Sequence, residues 1–64
     1  MVNFNSSAIS RGEYDAGSMR MVLWFTQGHS YTFCGVPSHI WQGLVNAGSK
    51  GSYYNAYIRD RYQC

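Results

Sequence analysis

Charge is scarce in this chain: of 64 residues, five are Lys or Arg and three are Asp or Glu. A protein that lives on duplex phosphate neutralises many charges at once with clustered cations, and Arg11, Arg20, Lys50, Arg59 and Arg61 are too few and too spread for that. A small anion or a short single strand fits better. Cysteine is equally sparse. Cys34 and Cys64, taken with His29 and His39, contain no short pair of the Cys-x-x-Cys kind, so neither a metal site nor any other cofactor is expected. The disulfide-dense secreted scaffold is disfavoured too, and both thiols are expected to be free, Cys34 in a strand and Cys64 at a fraying end. Carboxylates number three, with Glu13 and Asp15 in one exposed stretch and Asp60 far away, which is a thin inventory for acid–base work. Cys34 and His29 lie five residues apart and alternate to opposite faces of a strand, so they form no nucleophile–base pair. No enzyme is expected. Apolar runs fall well short of the ~20 residues that span a bilayer. Met1-Val2-Asn3-Phe4-Asn5 lacks the basic and apolar segments of a secretory signal, so a cytoplasmic protein without a membrane partner is expected.

What the chain has in quantity is aromatic surface: six Tyr, three Phe and two Trp make 17% of it. Such rings must serve as core, as contact surface, or as both. With 45% apolar residues the chain is too hydrophobic for a disordered tail. Its length allows one domain, residues 1–64, with a thin core, and self-association is the simplest source of added stability.

From Met19 to Phe25 the residues alternate, with Met21, Leu23 and Phe25 on one side and Arg20, Val22 and Trp24 on the other, which predicts a strand. Thr26-Gln27-Gly28 suits a three-residue hairpin loop with Gly28 in the left-handed region. The register then sets Phe25 opposite His29, Leu23 opposite Tyr31 and Met21 opposite Phe33. A weaker strand is expected within Ser7 to Tyr14, its register interrupted by Gly12 and its end marked by the turn residues Asp15-Ala16-Gly17-Ser18. After Gly35-Val36-Pro37, the stripe of Ile40, Trp41, Leu44 and Ala47 predicts a helix stopped at Gly48, with Ser38 as its cap or in its first turn. A second helix is expected from Ser52, carrying Tyr54, Ile58 and Tyr62 on one stripe. The expected architecture is α+β: a three-stranded antiparallel meander followed by two short helices packed on one face. Its expected core is Met21, Leu23, Phe25, Tyr31, Phe33, Ile40, Leu44 and Ile58.

Ser6-Ser7-x-Ile9, Tyr14-Asp15, Phe25-x-x-Gly28-x-x-Tyr31-x-Phe33-x-Gly35-Val36-Pro37 and Ala47-x-Ser49-x-Gly51-x-Tyr53-Tyr54-Asn55, with Ile58 and Tyr62, resemble the KTSC domain family over nearly the whole chain. That family occurs at the C-terminus of some lysyl-tRNA synthetases and as small stand-alone proteins of bacteria and phages. The resemblance implies no established activity, and the synthetase context associates the family with RNA. Two departures stand out: Gly12-Glu13 replaces an apolar-Gly pair, which is expected to loosen the opening strand, and the central tyrosine pair is here Tyr31 with Phe33.

Ser49-Lys50-Gly51-Ser52 is the most chemically suggestive segment. A Gly-containing turn feeding a helix can aim backbone N–H groups at a phosphate, with Lys50 and the serine hydroxyls adding contacts. The bland alternative is that Ser52 caps the helix and Gly51 makes the turn; under the ligand reading Lys50 is exposed, so that its removal is expected to abolish capture and to leave the melting temperature nearly unchanged. The candidate ligand residues are Lys50, Gly51, Ser52, Tyr53, Tyr57, Arg59 and Arg61, the tyrosines stacking a base and the cations holding phosphate. Tyr31 and Phe33 could stack bases as well, but their register assigns them to the core. On the opposite face Val22, Trp24, Thr32 and Cys34 are more apolar than a wet face should be. They are the candidate oligomer or partner interface. The leading expectation is therefore a non-enzymatic binding or sequestering protein for a phosphorylated nucleotide, either a small signalling or cyclic species or a short RNA, acting as a homo-oligomer. The competing one is a phage-type effector that inhibits a host enzyme, with the host protein held on that aromatic face.

Overall fold

The computed structural model describes residues 1–64, and the alternating segments pair into one antiparallel sheet in the order β1 (Val2–Asn3), β2 (Ile9–Asp15), β3 (Arg20–Phe25), β4 (Ser30–Phe33). The expected meander is present, with a fourth, two-residue strand beside its first member. The β3–β4 register sets Met21 opposite Phe33 and Leu23 opposite Tyr31. Gly28 closes the hairpin at φ +96°, donating to the Phe25 carbonyl at 3.0 Å, while Phe25 N–H donates to His29 at 2.8 Å. A side chain would be strained in that conformation.

A bulge between Ile9 and Arg11 shifts the pairing of β2 with β3. An extra residue flips the facing of everything beyond it, which is how Ile9 and Gly12, three positions apart, are both buried. Gly12 does not loosen the strand. It makes room: a Cβ there would lie 3.0 Å from both Leu23 and Trp41 and 3.1 Å from Phe4. The Trp41 ring fills that space, stacked on Tyr14 at 5.7 Å, and the Tyr14 hydroxyl donates to the Val36 carbonyl at 2.7 Å. These contacts dock the helical half onto the sheet.

Helix α1 (Ser38–Asn46) starts at Pro37, with Ser38 in its first turn, and buries Ile40, Trp41 and Leu44. Helix α2 (Lys50–Tyr53) starts two residues earlier than the sequence predicts, because Ser49 is its cap: the Ser49 hydroxyl accepts from the Ser52 amide at 3.3 Å. A π-helical turn, Tyr54–Ile58, follows, and Arg59 N–H donates to the Tyr54 carbonyl at 2.9 Å. The wider turn sends Ile58 into the core. Ile9, Met21, Leu23, Phe33, Val36, Ile40, Trp41, Leu44 and Ile58 form that core, each aliphatic side chain contributing about 1.5–3 kcal/mol by leaving water.

Two expected core residues are displaced outward: Phe25 is half-buried and Tyr31 is 53% exposed. They sit toward the Gly28 end of the hairpin, where the helical layer covers the sheet incompletely. The free-thiol expectation is also corrected, since Cys34 and Cys64 form a disulfide with their Cα atoms 4.9 Å apart, within bridging range. Cys34 N–H donates to the Tyr62 carbonyl at 2.8 Å, which lays the C-terminal segment along the end of β4. Closing a loop of 30 residues stabilises the fold by about 3–4 kcal/mol on a chain-entropy model. No helix is long and apolar enough to cross a membrane.

Candidate functional site

The rings of the hairpin end build the site, Phe25 half-buried and His29 and Tyr31 exposed. Phe25 stacks on His29 at 5.4 Å and meets Tyr31 and Tyr54 edge-on at 5.7 and 5.1 Å, and His29 meets Tyr31 at 5.0 Å. Hairpin geometry fixes the first three rings, because Phe25 and His29 flank the loop and Tyr31 lies two positions further along the same face. Tyr54 comes from the opening of the π-helical turn. The result is an aromatic cluster anchored on the core through Phe33, 6.1 Å from Tyr54, and open to water at Tyr31.

Two solvent-open clefts flank this cluster. One, of about 530 Å³, runs between the hairpin end and the second helical segment, where Phe25, His29 and Tyr31 face Gly51, Tyr54, Asn55 and Arg59. The other, of about 320 Å³, lies between β4 and the C-terminal segment, where Tyr31, Thr32 and Phe33 face Arg59, Asp60, Gln63 and Cys64. Tyr31, Tyr54 and Arg59 belong to both. Arg59 is the one Lys or Arg lining either cleft; its guanidinium is 3.9 Å from the Asp60 carboxylate, with both side chains exposed. That pair contributes little to stability, and it leaves the guanidinium free to turn toward an anion. Burial raises the Tyr54 phenol above its ordinary value; Arg59 opposes the rise, and Asp60 and Tyr31 add to it. Tyr54 is therefore a neutral ring with a hydroxyl donor, suited to aromatic stacking and hydrogen bonding.

The seven candidate ligand residues do not converge. Gly51 and Arg59 share the larger cleft, and Gly51 packs there 3.2 Å from Ala8, measured from where its Cβ would stand. Tyr53 and Tyr57 pack on each other instead, ring centres 4.6 Å apart and planes tilted by 38°, with the Tyr53 hydroxyl donating to the Ile40 carbonyl of α1. Ser52 spends its amide on Ser49. Lys50 is half-buried where an exposed side chain is expected: its ammonium donates to the Val45 carbonyl at 3.1 Å and to that of Ala47, and lies 5.4 Å from the centre of the Phe4 ring. A cation on the open carbonyls of a helix end is in its favoured electrostatic place. Arg61 is exposed and lines neither cleft. His29, Tyr54 and Asn55 are cleft residues outside the expected ligand set, and Tyr31 is one whose register assigned it to the core. A signal for Tyr31, Tyr54 and Asn55 existed, since each belongs to the motifs quoted above.

On the opposite sheet face Val22 and Trp24 are half-buried and Thr32 is exposed. Part of the cover comes from the chain itself, the Arg11 guanidinium lying 4.8 Å from the centre of the Trp24 ring. Cys34 leaves this group for the disulfide.

Residues 5–62 match the family model of the KTSC domain. A protein of Tsukamurella paurometabola is 33% identical over 58 residues, covering 91% of this chain and 87% of its own length. The crystal structure of a KTSC domain protein from Yersinia pestis superposes with a TM-score of 0.93 at 27% identity, covering 97% of this chain and 87% of that one.

Proposed function

Because the chain belongs to the KTSC domain family, and because motif residues of that family line a cleft with an arginine, we propose that it is a non-enzymatic binding protein for a phosphorylated nucleotide. The ligand is a short RNA segment or a small nucleotide. The single observation that carries this reading is the company kept by Tyr31: a 53% exposed ring, backed by Phe25 and His29, in the same clefts as Arg59. A base stacked on Tyr31 gains about 1–3 kcal/mol without any demand on its identity. Its phosphate then meets Arg59, and the Asn55 amide is available to a base edge. The arrangement moves no proton and breaks no bond; recognition or sequestration is the whole mechanism.

Titration calorimetry against mononucleotides, cyclic nucleotides and short single-stranded RNAs tests the reading. Tyr31→Ala and Arg59→Ala should each weaken binding at least tenfold with little change in melting temperature, while Arg61→Ala should leave it unchanged. With one phosphate contact, the logarithm of affinity should fall with the logarithm of salt at a slope of about −0.7. Silence across the whole panel would overturn the proposal.

A further inference from the structure

We propose that the Cys34–Cys64 disulfide is a redox latch that holds the wall of the smaller cleft in place. Beyond Ile58 the chain enters no further helix or strand, yet Arg59, Asp60, Gln63 and Cys64 form one side of that cleft. Besides the packing of the half-buried Tyr62 side chain against the core, two bonds hold this segment to the end of β4: the hydrogen bond from Cys34 N–H to the Tyr62 carbonyl, and the disulfide itself. Gln63 and Cys64 lie in no helix or strand, so once the sulfur is released the regular structure of the fold no longer fixes their position. The Cys64 sulfur rests 3.7 Å from the Thr32 carbonyl, a contact and not a hydrogen bond, since a disulfide sulfur carries no proton.

The two sulfurs differ in access. Cys64 is exposed and Cys34 is partly buried, so a thiolate attacks at Cys64 and expels Cys34. With a dithiol reductant, its first sulfur bonds to Cys64 as the Cys34 thiolate leaves and takes a proton. Its second sulfur then displaces Cys64, which is protonated in turn. The dithiol ends as a cyclic disulfide, and two electrons and two protons have passed to the protein. The freed end can lift from β4, opening the smaller cleft on its Gln63–Cys64 side, while Arg59 keeps its own bond to the Tyr54 carbonyl. The consequence for ligand rests on the function proposed above; the latch itself does not.

Amide hydrogen exchange, read by NMR on the full chain with and without dithiothreitol, tests it. Reduction should speed exchange of the Cys34 amide at least tenfold while amides of β3 keep their protection, and Cys64→Ser should match the reduced protein without any reductant. Equal protection of Cys34 in both redox states would overturn the latch, as would a disulfide that millimolar dithiothreitol reduces only after denaturation. Tetrauridylate serves as the ligand probe, and its affinity should fall at least fivefold on reduction. Absence of binding in both states, for tetrauridylate and for the mononucleotides and cyclic nucleotides alike, would overturn the ligand reading alone, because the Cys34 amide still reports the latch.

Discussion

The Tyr53 hydroxyl reaches the Ile40 carbonyl at 3.1 Å by passing directly over Gly43, where a Cβ would stand 2.1 Å from its oxygen. Gly43 is thus the notch that lets the second helical segment lie against α1. In an isolated helix Gly→Ala gains about 1 kcal/mol. Here the ring must move, losing a hydrogen bond and its packing, so Gly43→Ala should destabilise the fold by about 1–3 kcal/mol. Thermal melting checks the sign, and the double variant with Tyr53→Ala should cost less than the two single changes added together.

Lys50→Ala should also destabilise, by about 1–2 kcal/mol, because the ammonium closes the carbonyl end of α1 and covers Phe4. Lys50→Gln should recover only part of this. Denaturant midpoints decide it; an unchanged midpoint in the alanine variant would return Lys50 to the exposed role that its sequence context suggested.

Alkali should weaken the fold. Burial first, then the neighbouring Tyr57 and Tyr62, push the Tyr53 phenol above 10.0, and burial likewise raises Tyr54. A folded value above the unfolded one means that the contribution is complete below the unfolded value, near 10, and is lost as pH rises through the folded value. Stability measured by urea at successive pH steps should therefore fall above pH ~10. In Tyr53→Phe, which cannot ionise at that position, the fall should be shallower; an identical slope would mean that Tyr53 plays no part.

Self-association through the outer sheet face is expected, since Val22 and Trp24 lie there with only Arg11 over the Trp24 ring. Trp24→Glu should shift the particle toward monomer in sedimentation experiments. A parent protein that stays monomeric at high micromolar concentration would remove this expectation and leave Arg11 as the sufficient cover.

The hairpin was legible because alternation at Met21, Leu23 and Phe33 and the Gly28 loop are local signals that agree with each other. The bulge beside Ser10 was not, since an inserted residue reverses the facing pattern without any change in composition. Nor was the exposure of Tyr31: whether a strand face is core depends on how far the helices reach over it, which no spacing within the strand records. The disulfide required knowing that Tyr62 returns to Cys34. For the site, Gly51 and Arg59 were within reach of sequence reasoning, but a uniform helix starting at Ser52 missed the Ser49 cap and the π-helical turn that set Tyr53 and Tyr54 to different neighbours. Lys50 read as exposed because its carbonyl partners belong to the end of another helix.

The brevity of the outermost strands bears on how the protein behaves when crowded. Fibril growth by strand addition is templated by flat segments of about six or seven residues with unpaired backbone groups. β1 has two residues and β4 has four, and the chain end lies across the close of β4. Of the longer strands, β3 is paired on both sides, and β1 with Phe4 covers β2 from Ser10 to Gly12, which leaves only a short open edge at Glu13–Asp15, two of whose three residues are charged. A chain this rich in tyrosine and tryptophan can therefore be concentrated without recruiting its neighbours into cross-β stacks.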